Sequence, residues 1–522
     1  MKRLLAIGAA LIIALVIAAG CKKTEKDLND VYTNDLFAEA CNCIPWTVLG
    51  NDVNGDLPWM QFWSGYLSES KNNRYGQLGT PSQYPLIASL YQHALGKLDR
   101  IIQLNEDPAK KDLPNVQAFG SNANQIAAAK TLSAFFYMFL TDMTGPIVFS
   151  KTFLGDAVEN YAPSYMNQNE VYRLLDAILN ESYNLFETSG GLYYADLVYG
   201  GDISKWRKFN ASLRMLLAIK LCDVDAGTGK SRFARAYSDG GMTMVSDGFH
   251  FTYGNPGRNL LYYWCSNGYA KADKNLVPNR ILVEKMKELK DSRMFVYFDI
   301  EGYKGARDES LFPRNQYSSF HGAPFGLASN ADVTAFADCI CSINSRMLAI
   351  NATIPVIPTA RILLVEAEAA IRGWISADAK KLYENGIRAS FEWWGADYAT
   401  PYINSSAVAY DSHEAMEQIA TQRWIASYLS DGVETWSDWR RLDIPLLPVG
   451  PAALDKGIDQ YPYRLKFPSD PASPYTNISF KDAVEDLRGK ENTTANRLWW
   501  DVTDNTKSAL TPEQCTPPVV SE

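Results

Sequence analysis

Residues 122–143 decide the fold of this 522-residue chain and read Asn-Ala-Asn-Gln-Ile-Ala-Ala-Ala-Lys-Thr-Leu-Ser-Ala-Phe-Phe-Tyr-Met-Phe-Leu-Thr-Asp-Met. Ala128, Leu132, Phe135 and Phe139 recur at the spacing of one helical face. Small alanines on that face allow a second helix to approach closely, which is typical of helix hairpins. The stretch therefore predicts one member of a packed helix pair.

Similar periodicity occurs on both sides of this stretch, and the predicted helices arrive in four pairs. The pairs are Tyr84–Asn105 with Asn122–Met143, about Asn169–Phe186 with Lys205–Val224, Thr359–Trp374 with Ala377–Trp394, and Ser412–Leu429 with Val433–Leu442. The period of about 34 residues that marks a regular tetratricopeptide array is absent. We predict a mainly α fold in which four tetratricopeptide-like helix hairpins back an irregular, loop-rich half with few short strands.

Four glycines stand at or near the ends of these predicted helices. They are Gly145, Gly373, Gly395 and Gly432. A left-handed backbone commonly ends a helix, and glycine adopts it without a steric penalty. Each of the four is therefore expected just after the last turn of a helix.

Two segments between the helices have a different character. Residues 50–83 and about 230–357 are rich in Gly, Asn, Tyr and Pro, and only scattered short helices or strands are expected there. Long irregular segments in a compact body are usually functional. We predict a single body over residues 21–522, with a hairpin scaffold at about 84–225 and 358–445 and the two loop-rich segments facing a ligand.

The first 20 residues are typical of a secretory signal peptide. Lys2 and Arg3 precede the uncharged run Leu4–Ala19, and small residues lead directly to Cys21. A cysteine at that position is specific to bacterial lipoprotein signals, in which its thiol takes a diacylglycerol. The alternative, an anchor helix, falls short of the about 20 apolar residues that span a bilayer. We predict lipidation of Cys21 and attachment to the membrane through that lipid.

The charge balance excludes one class of partner. The chain carries 59 Asp and Glu against 50 Lys and Arg, a net charge of −9, and loss of Lys2 and Arg3 makes it more negative. Nucleic-acid binding requires a basic surface, so no nucleic-acid partner is expected.

The cysteines leave several possibilities open. Seven of the eight lie beyond Cys21, and they include the pairs Cys41-Asn-Cys43 and Cys339-Ile-Cys341. Such pairs can chelate a metal or bridge two segments in an oxidising compartment. The four histidines are far apart in sequence, which argues against a zinc site and favours simple buried thiols. We predict neither a metal nor a cofactor.

Motifs that resemble catalytic or metal sites are incomplete. Gly227–Ser231 resembles half of a phosphate-binding loop, but Val224 replaces a required glycine and a helix precedes it. Asp52-x-Asn54-x-Asp56 begins like a calcium loop, yet Leu57 replaces the glycine and Trp63 the final glutamate. No nucleophile-elbow or zinc-protease motif occurs. Paired carboxylates of a glycosidase would meet only in space, so they are not testable from sequence.

The order of four motifs points to a family. These motifs resemble the SusD/RagB family of outer-membrane nutrient-binding lipoproteins: Ala127–Tyr137 running into Thr144-Gly-Pro-Ile147; Ser204–Arg214; Leu364–Trp374; and Gln422–Ala426 followed by Thr435–Leu442. The tail segments Tyr461–Leu465 and Leu498–Asp501 are also similar to the ends of such proteins. The resemblance covers nearly the whole mature chain and agrees with Cys21.

The resemblance implies both a fold and a role. The family combines four helix hairpins with a loop-rich half and sits over a SusC-type TonB-dependent transporter. Its ligands are typically oligosaccharides, and some members take peptides. The resemblance therefore implies a non-enzymatic lipoprotein of the cell outer membrane, facing the exterior, that delivers an oligosaccharide to the transporter. The alternatives are capture of peptides or another nutrient, and a hydrolase that trims a glycan.

Several motif residues are interpreted as structural. We expect four tryptophans to lie in the core and two glutamates to satisfy helix ends or arginines rather than to catalyse: Trp206, Trp424, Trp436, Trp439, Glu366 and Glu368. Residues of this kind maintain the scaffold and do not identify the ligand.

A sugar site combines exposed aromatic rings, which stack on C–H faces, with polar side chains that bind hydroxyls. Three loop stretches have this composition: Trp59–Tyr66 followed by Asn72–Tyr75, then Asn259–Asn267, and finally Phe312–Tyr317. Within them we predict ligand binding by Trp63, Tyr66, Asn73, Arg74, Tyr75, Tyr262, Tyr263, Trp264, Arg314 and Tyr317. The alternative is that these rings pack the interior of the irregular half, which lacks regular elements.

Overall fold

A computed structural model describes most of the scaffold and parts of the loop-rich segments. The described residues are 32–49, 63–65, 84–150, 164–253, 276–300, 313–326, 340–344, 346, 349, 351–430, 432–447, 462–467, 481–485 and 487–502.

The described residues form helices joined by turns and very short strands. The helices are α1 Thr33–Cys41, α2 Trp46–Leu49, α3 Tyr84–Ser89, α4 Gly96–Glu106, α5 Pro114–Gln117, α6 Asn122–Thr144, α7 Gln168–Leu185, α8 Ile203–Ile219, α9 Ala226–Asp239, α10 Arg280–Glu288, α11 Met294–Tyr297, α12 Thr359–Ile371, α13 Ala379–Trp394, α14 Ala399–Ile403, α15 Ala415–Ala426, α16 Gly432–Leu442 and α17 Lys481–Glu485. A π-helical stretch, Leu90–Leu95, joins α3 to α4, and 3₁₀ turns occupy Val245–Asp247 and Tyr317–Ser319.

The strands form four separate two-stranded antiparallel sheets among these residues. They are β1 Trp63–Gly65, β2 Ile147–Val148, β3 Tyr165–Met166, β4 Phe249–Thr252, β5 Leu276–Pro278, β6 Phe298–Asp299, β7 Ser342–Ile343 and β8 Thr353–Ile357. The pairs are β1 with β5, β2 with β3, β4 with β8, and β6 with β7. The predicted mainly helical fold with few short strands is confirmed.

Each predicted helix pair is a contacting pair in the structure: α4 with α6, α7 with α8, α12 with α13, and α15 with α16. The central helix is α6, which is buried on nearly every side rather than along one stripe. The Ser121 hydroxyl caps its start by accepting from the Asn124 N–H at 3.2 Å. Its end is Gly145, whose φ of 91° only glycine adopts readily.

Three of the four predicted helix-ending glycines are confirmed, because Gly145, Gly373 and Gly395 all have positive φ. The expectation for Gly432 is wrong, since this glycine begins α16. The positive φ after α15 belongs instead to Leu429, at 59°. Adjacent helices in this sequence are separated by so few residues that an end and a start are easily confused.

The second difference is α9, a 14-residue helix that extends into the segment expected to be irregular. Asp225 caps it by accepting from the Thr228 N–H at 3.2 Å, and the helix packs along α8. Gly227–Ser231 therefore forms helical turns rather than a phosphate-binding loop, which confirms its exclusion.

The predicted core tryptophans Trp206, Trp424, Trp436 and Trp439 are buried, as expected. Cys41, Cys43, Cys222 and Cys341 are buried thiols, while Cys339 lies outside the described residues. Among the described helices, none combines the length and the apolar character needed to cross a membrane.

Candidate functional site

The backbone joins the first predicted binding stretch, and the continuation of the third, to the strand that follows the second. In the antiparallel pair β1–β5, Trp63 lies opposite Pro278, and Gly65 lies opposite Leu276. The first stretch therefore meets the chain that follows the second one. We call the combined region Trp63–Gly65, Leu276–Asn279 and Pro313–Gly326 the loop junction.

The segment Pro313–Gly326, which begins with the third stretch, joins this junction through backbone hydrogen bonds. The Ala323 N–H donates to the Pro278 carbonyl, and the Arg280 N–H donates to the Ala323 carbonyl, both at 2.8 Å. Gly322 makes the close approach possible, because a Cβ there would lie 2.5 Å from the backbone of Asn279 and Arg280. No larger residue fits without moving one of the two segments.

Asn279 fixes the direction in which the chain leaves the junction. Its side-chain oxygen accepts from the Ile281 N–H at 2.8 Å and so caps the start of α10. The residue itself is fully buried. The same few residues thus terminate β5, hold the third stretch and begin a helix.

Tyr317 is half-buried against the protein. Its hydroxyl donates to the Lys290 carbonyl at 2.7 Å, and its ring centroid lies 4.8 Å from that of Phe295. Partial burial, followed by the charge of Asp291, raises the pKa of Tyr317 to about 12. The phenol therefore stays protonated at neutral pH, and its ring helps to support the third stretch.

A buried ion pair attaches this region to the scaffold. The Arg293 guanidinium binds Asp291 at 2.5 Å and also donates to Ser390 of α13 at 2.9 Å and Gln422 of α15 at 2.7 Å. Burial alone lowers the pKa of Arg293, but the Asp291 charge outweighs it, so the pKa lies above its ordinary value. A permanently charged arginine thus connects the loop-rich half to the third and fourth hairpins.

The structure places the predicted ligand-binding residues as follows. Arg314 is exposed in a turn of the loop junction, and Tyr317 follows it. Of Trp63, only the backbone pairing is described. The remaining candidates lie outside the described residues: Tyr66, Asn73, Arg74, Tyr75, Tyr262, Tyr263 and Trp264. The lipidation candidate Cys21 also lies outside them.

Sequence reasoning ended the third stretch at Tyr317 and missed its continuation. His321, whose carbonyl accepts the Cys341 N–H at 2.9 Å, and Gly322 connect this stretch to two others. The signal available was His321-Gly-Ala-Pro324, a turn sequence with a glycine and a proline.

The described part of the chain contains no group of three or more His, Cys, Asp or Glu side chains arranged to hold a metal ion. Glu368, a carboxylate that the sequence motif singles out, is buried in the scaffold between arginines. The junction itself brings three chain segments that are distant in sequence into backbone contact.

Comparisons with solved structures identify the fold. A chitin-binding SusD homologue from Flavobacterium johnsoniae superimposes with a TM-score of 0.72 at 22% identity, covering 90% of this chain and 99% of that chain. A SusD homologue from Bacteroides uniformis gives 0.72 at 21% identity, with coverages of 90% and 99%. A SusD-like protein from Bacteroides thetaiotaomicron gives 0.69 at 20% identity, with coverages of 91% and 100%.

A search of curated protein sequences found no significant match. The sequence profile of the family SusD-like_2, described as "Starch-binding associating with outer membrane", matches residues 26–468. Since this match extends over most of the 522 residues and the fold agrees, the chain belongs to the SusD-like family of nutrient-binding, outer-membrane-associated proteins.

Proposed function

We propose that this chain is a lipid-anchored protein on the outer face of the outer membrane that binds an oligosaccharide at the loop junction. It delivers that ligand to a SusC-type TonB-dependent transporter and does not itself cleave it. The observation that carries the proposal is the family match over residues 26–468, a family described as starch-binding.

Two features of the chain support this location for the ligand. The junction joins backbone of the first stretch to the chain that follows the second and to the segment that begins with the third. The helices of the scaffold pack against one another, and the predicted core tryptophans named above are buried there. Chitin binding, named for a homologue with the same fold, makes β-linked N-acetylglucosamine oligomers, besides α-linked glucans, reasonable ligands to test.

The test is calorimetric titration of the purified chain with maltoheptaose, chitohexaose and a set of peptides of similar length. We expect saturable binding of at least one glycan and none of the peptides. Binding of peptides alone would replace the oligosaccharide proposal with peptide capture by the same architecture. Steady release of shorter sugars from a bound glycan would instead establish a hydrolase.

Attachment to the membrane has a separate test. Changing Cys21→Ser removes the thiol that accepts the lipid, so the variant should fractionate as a folded, water-soluble protein. The parent protein should enter the detergent phase. A Ser variant that still enters the detergent phase would exclude lipidation of Cys21 as the anchor.

Delivery to a transporter predicts a complex. Affinity purification of the parent chain from native membranes should retain a β-barrel protein of the TonB-dependent class. Recovery of the chain without such a barrel, under conditions that preserve other outer-membrane complexes, would contradict that part of the proposal.

A further inference from the structure

A concave site exists on the scaffold, outside the loop junction. The C-terminal end of α7, the start of α8 and the turn after α9 enclose a cavity of about 790 Å³. Its volume falls in the range of about 300–1,000 Å³ that is usual for small-molecule sites. Its walls include four glycines, three of them at positive φ: Gly191, Gly201, Gly240 and Gly241.

The outer wall is fixed from behind by scaffold contacts. Lys208 binds the Asp247 carboxylate at 2.9 and 3.0 Å, and that carboxylate accepts the Thr243 N–H at 3.1 Å. Arg214 binds Asp239 at 2.5 Å. These contacts occupy Lys208 and Asp239, so their charges are neutralised within the protein.

Arg207 is held in place without a polar partner. Its guanidinium carbon lies 4.5 Å from the centroid of the Tyr183 ring, and the Tyr183 hydroxyl donates to the Asp239 carbonyl at 2.8 Å. Arg207 forms neither a hydrogen bond nor an ion pair with any residue that the structure describes. Stacking therefore fixes the plane of the guanidinium and leaves its N–H donors available to a ligand.

The other polar groups of the cavity complement this donor. Asp202 uses one carboxylate oxygen to cap α8, at 3.1 Å from the Lys205 nitrogen. The hydroxyls of Thr188, Ser204 and Thr243 also line the cavity and make no side-chain hydrogen bond with the described residues. The available set is thus one cation, one anion and three hydroxyls.

We propose that this cavity is a second carbohydrate site, which takes a neutral mono- or disaccharide unit. Sugar hydroxyls both donate and accept, so adjacent hydroxyls can pair with Asp202 and Arg207 together. An anionic ligand would face the Asp202 carboxylate, and an apolar ligand would leave the polar groups unpaired. The inference rests on the proposed function, because it gives a glycan-binding protein a second contact on the same ligand class.

The test is titration of the purified chain with maltose and with N,N′-diacetylchitobiose, combined with crystals soaked in the same sugars. We expect density in the cavity, and we expect Arg207→Ala to weaken binding there by at least about tenfold, equivalent to about 1.4 kcal/mol. The matched control is Lys205→Ala, which removes the same charge from the same helix outside the cavity lining. It should leave binding unchanged.

A second variant separates loss of binding from loss of folding. Ser204→Trp fills the opening from an exposed position and should abolish binding in the cavity while preserving the melting temperature. If neither Arg207→Ala nor Ser204→Trp weakens glycan binding, this inference is wrong. The proposed function would be unaffected by that result. A chain that binds no glycan at all would overturn both. Binding that only the cavity variants remove would uphold the inference and contradict the loop junction as the principal site.

Discussion

The scaffold and the loop junction are held together by different kinds of interaction. In the scaffold, Glu368 of α12 accepts from Arg423 at 2.9 Å and from Arg441 at 2.8 Å, so one carboxylate connects three helices. In the loop junction, the segments meet through backbone hydrogen bonds and the close contact at Gly322.

This difference separates structural from recognition residues. The charged side chains around Glu368 are paired with one another, so changing one removes a buried partner from the others. Backbone pairing in the junction places few demands on side-chain identity. The exposed side chains of its loops are therefore available to vary with the ligand, while the hairpins that carry them stay the same.

Truncating a buried side chain of the scaffold should have the largest effect on the free energy of unfolding. Trp206 is fully buried, lies 5.4 Å from the Tyr199 ring, and donates from its indole nitrogen to Asp196 at 2.7 Å. Trp206→Ala should lower the free energy of unfolding by about 5 kcal/mol, because it leaves a cavity and removes one of the four hydrogen bonds that the buried Asp196 carboxylate accepts. Urea unfolding followed by circular dichroism measures this. Trp206→Phe retains much of the volume and should cost less, whereas an unchanged midpoint for the Ala variant would contradict the packing.

Removing a buried charge from the scaffold should lower the free energy of unfolding by a smaller amount. Glu368→Gln leaves the Asp438 carboxylate as the remaining anion beside the buried Arg423 and Arg441, and it should cost about 3 kcal/mol because the amide oxygen still accepts. The matched control is Glu170→Gln in α7, which breaks an exposed pair with Arg173 and should cost less than about 1 kcal/mol. Equal losses in the same unfolding assay would show that burial does not distinguish the two pairs.

The junction can be broken at its backbone contact. Gly322→Ala places a methyl group 2.5 Å from the Asn279 and Arg280 backbone and should cost about 2 kcal/mol, in the range of overpacked sites. The two segments must separate, so glycan affinity should fall as well. Gly373→Ala is a useful comparison that separates backbone strain from crowding, because its Cβ meets no atom within 4 Å and its φ is positive, whereas that of Gly322 is not. Loss of stability without loss of affinity would place the ligand away from the junction.

Glu366 differs from Glu368 although both belong to α12. Burial raises the pKa of Glu366 to about 8, and no arginine of the described residues pairs with it. The unfolded chain loses this proton near the ordinary value of 4.5, whereas the folded chain keeps it. Between these values the folded state binds more protons, so the contribution of Glu366 makes stability fall as pH rises.

Glu366→Gln should remove that dependence. Relative to the parent, the variant should gain more than about 1.4 kcal/mol in stability between about pH 5 and about pH 9, the equivalent of one pKa unit. Subtracting the parent curve cancels other titrating groups, including Asp501, whose pKa burial raises to about 6. Parallel curves for the two proteins would show that Glu366 is already ionised in the fold.

The sequence predicted the scaffold well because long, periodic helices leave a clear pattern. The four pairs, the buried tryptophans and the pairing of Glu368 with arginines follow from that pattern. The length of α9 was missed because the glycines near its start, Gly227 and Gly229, suggest a turn. Gly229 is instead required by packing, since a Cβ there would lie 2.7 Å from Trp374. Contacts between segments distant in sequence, such as Gly322 with Asn279, carry no local signal.

The smallest expected change in stability accompanies a clear change in binding. If Trp63 and Trp264 form part of a platform for sugar rings, replacing either by alanine should weaken glycan binding by about 1–3 kcal/mol, as for an aromatic anchor. The free energy of unfolding should change by less than about 0.5 kcal/mol, as for surface residues outside the core. Calorimetry with the glycan that the parent binds, together with urea unfolding of the same preparations, measures both quantities.

Trp206→Ala is the opposite reference, because it should lose stability as a core residue whatever its effect on binding. Should both loop variants lose stability and keep their affinity, these rings pack the irregular half, and Arg314 with its neighbours becomes the next position to test.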